Sequence, residues 1–121
     1  MCILLVEDDP LILELTAEVL LAAGYEVVEA VSGDHALELF EMQPDRFRLL
    51  ITDFNMPGQV DGSQVAARMR LVRPSLPVVI ASGQPETFQS SWQRDFGYVV
   101  LRKPYRLADL IETARDLIRP D

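Results

Sequence analysis

Five side chains with chemical potential each stand at or just past the end of a short apolar run. Glu7 and Asp8 follow Ile3–Val6, Asp53 follows Leu49–Thr52, Ser82 follows Val78–Ala81, and Lys103 comes two residues after Tyr98–Leu101. If those runs are strands of one sheet, groups far apart in sequence meet at one edge. The three carboxylates would repel one another there and raise each other's pKa. A hard divalent cation relieves that repulsion, and a few carboxylates completed by water and phosphate oxygens is the usual magnesium arrangement. A metal, a carboxylate, a hydroxyl and an ammonium around one point suit phosphoryl transfer, where catalysis is mainly positioning and charge neutralisation. Taken singly, each residue has a plainer reading: Ser82 as a helix cap, Lys103 as a surface charge, the acids as solvated strand ends. Their shared position favours chemistry. Asp9, beside Pro10, fits a helix N-cap instead.

The elements that must position these groups are legible in the apolar pattern. Ile3–Val6, Val27–Val31, Leu49–Thr52, Val78–Ala81 and Tyr98–Leu101 mostly lack polar alternation, which predicts strands buried on both faces of a parallel sheet. Helical spacing separates them. Ile12, Leu15, Val19 and Ala22 follow the Asp9-Pro10 start, with Gly24 as the stop. Ser32-Gly33 precedes Ala36, Leu37, Leu39 and Phe40; Gly62-Ser63 opens Val65, Ala66, Met69 and Val72. Leu107, Leu110, Ile111, Ala114, Leu117 and Ile118 form the clearest amphipathic stripe. Pro85–Phe96 is the weakest helical segment, anchored by Trp92 and Phe96. Strand and helix thus alternate five times without a linker or repeat, which predicts a doubly wound α/β fold over residues 1–121, one domain. Five strands in a sheet of this kind commonly take the order 2-1-3-4-5, with the ligand site between strands 1 and 3.

The 121 residues suffice for a single core, and 49% apolar with 25% charged residues is ordinary for a globular protein. A net charge of −8 argues against direct nucleic-acid binding, which needs clustered Lys and Arg. No apolar run is long enough to insert in a membrane. Met1 to Val6 is too short for a signal-peptide core, and the lone Cys2 permits no disulfide framework, so a cytoplasmic location is expected. His35 is the only histidine and is read as a surface residue, which excludes a histidine metal cluster or a Ser-His-Asp triad. No glycine-rich phosphate loop follows the first strand.

Across nearly its whole length the chain resembles the receiver domains of response regulators and hybrid histidine kinases in bacterial two-component systems. The resemblance rests on Leu5-Val6-Glu7-Asp8, on Asp53-Phe54-Asn55-Met56-Pro57 with Asp61-Gly62 downstream, on Ser82-Gly83, and on Lys103-Pro104. It implies that Asp53 is the phosphoacceptor in a Mg²⁺-dependent reaction, with Mn²⁺ as a substitute. Asp8 would bind the metal directly and Glu7 chiefly through water, with Asp53 and the backbone carbonyl of Asn55 as further ligands. Ser82 would bond a phosphoryl oxygen, and Lys103 would pair with Asp53 and then with the phosphoryl group. A cis peptide is implied before Pro104. Asn55 and Gln84 would tune water attack on the acyl phosphate. Self-catalysed transfer and slow self-dephosphorylation would be the only catalysis. The implied partner is a histidine kinase or a histidine-containing phosphotransfer protein, and the domain is expected as a monomer or weak dimer.

Three departures from the family pattern stand out. Ser82 replaces the frequent Thr and keeps the hydroxyl. The loop Pro57–Gly62 has an extra residue, as in hybrid-kinase receivers. Val100 occupies the switch position, three residues before the lysine, where an aromatic side chain is usual; Tyr98 lies on the same strand face but does not match it. Val100 and the loop together point to a hybrid-kinase or stand-alone relay receiver. The competing reading is a Mg-dependent phosphohydrolase with an aspartate nucleophile, similar to haloacid-dehalogenase-like phosphatases. Those place the nucleophile after the first strand with a second Asp two positions on, a spacing that Glu7-Asp8-Asp9 does not offer.

Overall fold

A computed structural model describes residues 2–56, 58, 60–83 and 91–120. Five strands form one parallel sheet in the order β2-β1-β3-β4-β5, with β1 at Cys2–Val6, β2 at Glu26–Ala30, β3 at Phe47–Asp53, β4 at Val78–Ser82 and β5 at Val99–Arg102. Helices α1 (Pro10–Ala22), α2 (Gly33–Met42), α3 (Gly62–Val72) and α4 (Leu107–Leu117) connect or follow them, and a π-helical turn spans Trp92–Phe96. The order is the one common to five-stranded sheets of this kind. Of the weak segment 85–96, residues 85–90 lie outside the described residues.

Alternate strand residues feed two cores, as a pleated sheet covered on both sides requires. Leu4, Val6, Leu50, Val78 and Ile80 face α2, α3 and the π-helical turn, meeting Phe40, Val65, Met69 and Trp92. Ile3, Leu5, Leu49, Ile51 and Val79 face α1 and α4, meeting Leu13, Leu20, Leu110 and Ala114. Cys2 is buried and reduced, as expected of a small apolar residue.

Local signals set the helix ends. Asp9 Oδ1 accepts from the amides of Leu11 and Ile12, and Gly24 after α1 has φ +102°. Ser32 caps α2 by accepting from the His35 amide at 3.1 Å. Asp61 and Gln64 form a reciprocal capping box at α3.

One sequence reading needs correction, and a second gains a contact. The stripe Ile12, Leu15, Val19, Ala22 is not the buried face of α1; Ile12 and Leu15 are exposed, and Leu13, Thr16, Ala17 and Leu20 point inward. Apart from Glu14, Thr16 and Glu18 every position of this helix is apolar, so the apolar spacing alone fits more than one face. His35 is half-buried, and its Nδ1 accepts from the Val31 amide at 3.2 Å, closing the turn between β2 and α2.

Gly62 shows how tightly α3 is set against the sheet edge. A Cβ there would lie 2.1 Å from the carbonyl oxygen of Asp53, while the Gly62 amide donates to the Phe54 carbonyl at 3.0 Å. Backbone cannot yield as a flexible side chain can. Gly62→Ala is therefore expected to destabilise the protein by roughly 1–3 kcal/mol, read as a lower urea midpoint with unchanged slope.

Candidate functional site

The sheet register brings the predicted residues to one edge. Val6 pairs with Thr52, Asp53 with Ala81, and Ser82 with Arg102, so Glu7, Asp53, Ser82 and Lys103 all emerge at the carboxyl ends of β1, β3, β4 and β5. Backbone bonds extend the ladders past the strands: Glu7 N–H donates to the Ala30 carbonyl, Phe54 N–H to Ala81 and Lys103 N–H to Ser82. The acids and the lysine are thus held by main chain and not by flexible loops.

Glu7, Asp8 and Asp53 each offer a carboxylate oxygen, all within 4.8 Å of one another. Glu7 and Asp53 are buried, at 8% and 6% exposure, whereas Asp8 is open to solvent. Lys103 Nζ is ion-paired with Asp53 Oδ1. That oxygen is buried and accepts no hydrogen bond of good geometry. Three converging carboxylate oxygens, two of them on buried side chains, are a hard all-oxygen donor set, so the site fits a magnesium-type ion. Asn55, two residues beyond Asp53, is exposed on the loop that leaves β3. Ser82 is fully buried at the end of β4. The Lys103–Pro104 peptide is cis, as the resemblance implied. Val100 pairs with Ile80 and is half-buried against the α2/α3 core. Gln84 lies outside the described residues.

Burial drives the Glu7 carboxyl up to about 8, with hydrogen bonding to Asp53 and the Asp53 charge as further causes and Lys103 opposing them. Without metal, Glu7 therefore holds a proton at neutral pH and can share it with Asp53.

Two contributors escaped sequence reasoning. Tyr105 stands two residues beyond Lys103, and its hydroxyl is pushed up by burial and then by the charges of Glu7 and Asp53. Together with Thr16, it lines the small space behind Asp53 and the adjoining groove. That groove, about 500 Å³, runs between α1 and the start of α4 and is walled by Ile12, Leu15, Pro104 and Leu107, with Glu7 and Lys103 at its inner end. The apolar residues of α1 that face outward are its signal in the sequence.

The chain belongs to the response regulator receiver domain family, whose pattern it matches over residues 3–115. It is a receiver domain of the kind used in two-component signalling. Among its relatives, the sensor kinase CckA of Brucella abortus is 30% identical over 117 residues, 96% of this chain and 12% of that protein. The transcriptional regulatory protein GlrR of Escherichia coli is 34% identical over 105 residues, 84% of this chain and 22% of that protein. The chain therefore spans only a small part of either. The crystal structure of the receiver domain from the hybrid histidine kinase CckA superposes with a TM-score of 0.82 at 32% identity, covering 98% of this chain and all of that one.

The shifted Glu7 makes a directional prediction. Its folded pKa lies above the unfolded value near 4.5, so the native state binds the extra proton between the two. The contribution of Glu7 to stability in chelator should be full below pH 4.5 and fall as pH rises toward 8. Divalent-metal affinity should rise across the same window. Denaturant melts at successive pH values check this, and Glu7→Gln should flatten both trends.

Proposed function

We propose that Asp53 accepts a phosphoryl group from a phosphohistidine, with Glu7, Asp8, Asp53 and the Asn55 carbonyl holding Mg²⁺ or Mn²⁺. The observation that carries this reading is the buried Asp53 carboxylate, flanked by two acids and paired with Lys103 at the sheet's carboxyl edge. In the transfer, an Asp53 oxygen forms the new O–P bond as the N–P bond of the phosphohistidine breaks, and the imidazole leaves with the electron pair. A bound cation supplies charge neutralisation for the phosphoryl oxygens. Lys103 turns from the carboxylate to the phosphoryl group, and the Ser82 hydroxyl donates to one of its oxygens. The amides of Asn55 and Gln84 orient water without acting as bases, so the aspartyl phosphate decays slowly.

Incubation with acetyl phosphate and Mg²⁺ should add a single stoichiometric phosphoryl group, located at Asp53 by mass spectrometry. Asp53→Asn or a chelator should abolish it. Labelling of that variant to the wild-type level would sink the assignment. Continuous turnover of a phosphomonoester would instead favour the aspartate-nucleophile hydrolase.

The partner is a histidine kinase or histidine-containing phosphotransfer protein in the cytoplasm. Exposed Leu11, Ile12 and Leu15 beside the groove offer such a partner an apolar seat within reach of Asp53. Among the described residues, no helix is long and apolar enough to cross a membrane. With Val100 in place of an aromatic side chain, the domain suits a hybrid-kinase or stand-alone relay role, as a monomer or weak dimer. Solution scattering with and without beryllofluoride should show no stable dimer; a tight dimer formed through β5 and α4 would overturn the relay reading.

A further inference from the structure

A change at Asp53 reaches the surface only through groups attached to it or touching it. Phe54 is the next residue. Its backbone is pinned twice, the amide to the Ala81 carbonyl at 2.9 Å and the carbonyl to the Gly62 amide at 3.0 Å. Its half-buried ring lies against the Trp92 indole, with centroids 4.8 Å apart and planes tilted by 44°. A close aromatic contact of this kind ties the position of one side chain to that of the other.

Trp92 is buried, and it opens the π-helical turn that ends at Phe96, a residue 52% exposed. Single π-helical turns are rare and recur at functional positions. This one is closed by Gly97 at φ +68°, whose amide donates to the Gln93 carbonyl at 3.0 Å. Phe96 stacks on Tyr98 with centroids 5.3 Å apart, and the Tyr98 amide donates to the Trp92 carbonyl at 3.3 Å. From α3, the Arg70 guanidinium lies 4.7 Å over the Tyr98 ring and donates to the Phe96 carbonyl. Between α3 and the turn runs a groove of about 220 Å³ lined by Ser63, Gln64, Ala67, Trp92, Phe96 and Tyr98. Val100, by contrast, sits in a regular ladder position opposite Ile80 and carries only a short side chain.

We propose that the Phe54–Trp92 contact is the coupling element of this domain. On that account, a change in the charge carried at Asp53 shifts Phe54 against Trp92, moves the π-helical turn and reshapes the groove beside α3. The inference rests on Asp53 being the phosphorylated residue. It differs from a rearrangement at position 100, because the moving parts are the turn and the groove.

Trp92 is the only tryptophan, so the intrinsic emission of the intact protein reports on it directly. Emission is recorded in chelator, in Mg²⁺, and in Mg²⁺ with beryllofluoride, while fluorine NMR on the same samples measures bound beryllofluoride. Binding should change the emission and shift the backbone amides of Ser63, Gln64, Ala67, Phe96 and Tyr98. Phe54→Leu should still bind beryllofluoride but cut the emission change to roughly half or less, as the ring–ring contact is lost. Val100→Ala should leave the change intact. Beryllofluoride bound with the groove amides unmoved overturns the coupling, whether or not emission changes. So does a response that Val100→Ala abolishes and Phe54→Leu preserves. No beryllofluoride bound to the wild type would instead overturn the reading of Asp53 itself, and the coupling with it.

Discussion

Like charge forced together is the constraint on which this domain is organised. Glu7, Asp8 and Asp53 are placed within 4.8 Å of one another by parallel strands that cannot move apart without breaking the sheet. Two of the three are buried, where water screens repulsion least. Only a proton, a cation or Lys103 can relieve the strain, and each leaves a different charge at the same point. The raised Glu7 is the proton's version of that relief. A metal would be the second and Lys103 on Asp53 is the third. The site is therefore a place where small changes in charge are worth much free energy, which is the requirement for a signalling residue.

The rest of the fold makes that concentration tolerable. Both sheet faces are closed by apolar side chains, so the ladders next to the acids are packed from either side. Gly62 lets α3 start directly on the Asp53 backbone, and the capping box of Asp61 and Gln64 fixes where that helix begins. The stability of the core thus holds in place a cluster that by itself would disperse.

Much of this was legible in the residues alone. All five strands were readable, β1, β3 and β4 as apolar runs buried on both faces and the edge strands β2 and β5 as partly exposed ones, and their ends located Glu7, Asp8, Asp53, Ser82 and Lys103 without any knowledge of contacts. The orientation of α1 was not, since Glu14 and Glu18 mark only one edge of a helix whose other positions are mostly apolar; its docking on the sheet decides that Leu13 and Leu20 go inward and Ile12 and Leu15 outward. Nor could the role of His35 be read, because a side chain that bonds a backbone amide in its own turn leaves no trace in hydrophobic spacing. Tyr105 and the pairing of Phe54 with Trp92 were hidden for a related reason: each depends on packing between segments distant in sequence.

Among these 121 residues there is a single lysine, and it stands in the site with its side chain 41% exposed. Every other basic side chain is a guanidinium or the one imidazole. Amine-directed acylation of side chains therefore falls on one nitrogen, and it would erase the positive charge opposite Asp53. A small acyl phosphate presents two electrophilic centres, phosphorus and carbonyl carbon, to two neighbouring nucleophiles. Attack through Asp53 at phosphorus would arm the domain, whereas attack through Lys103 at carbon would disable it, so the same metabolite class could write either mark on one pocket.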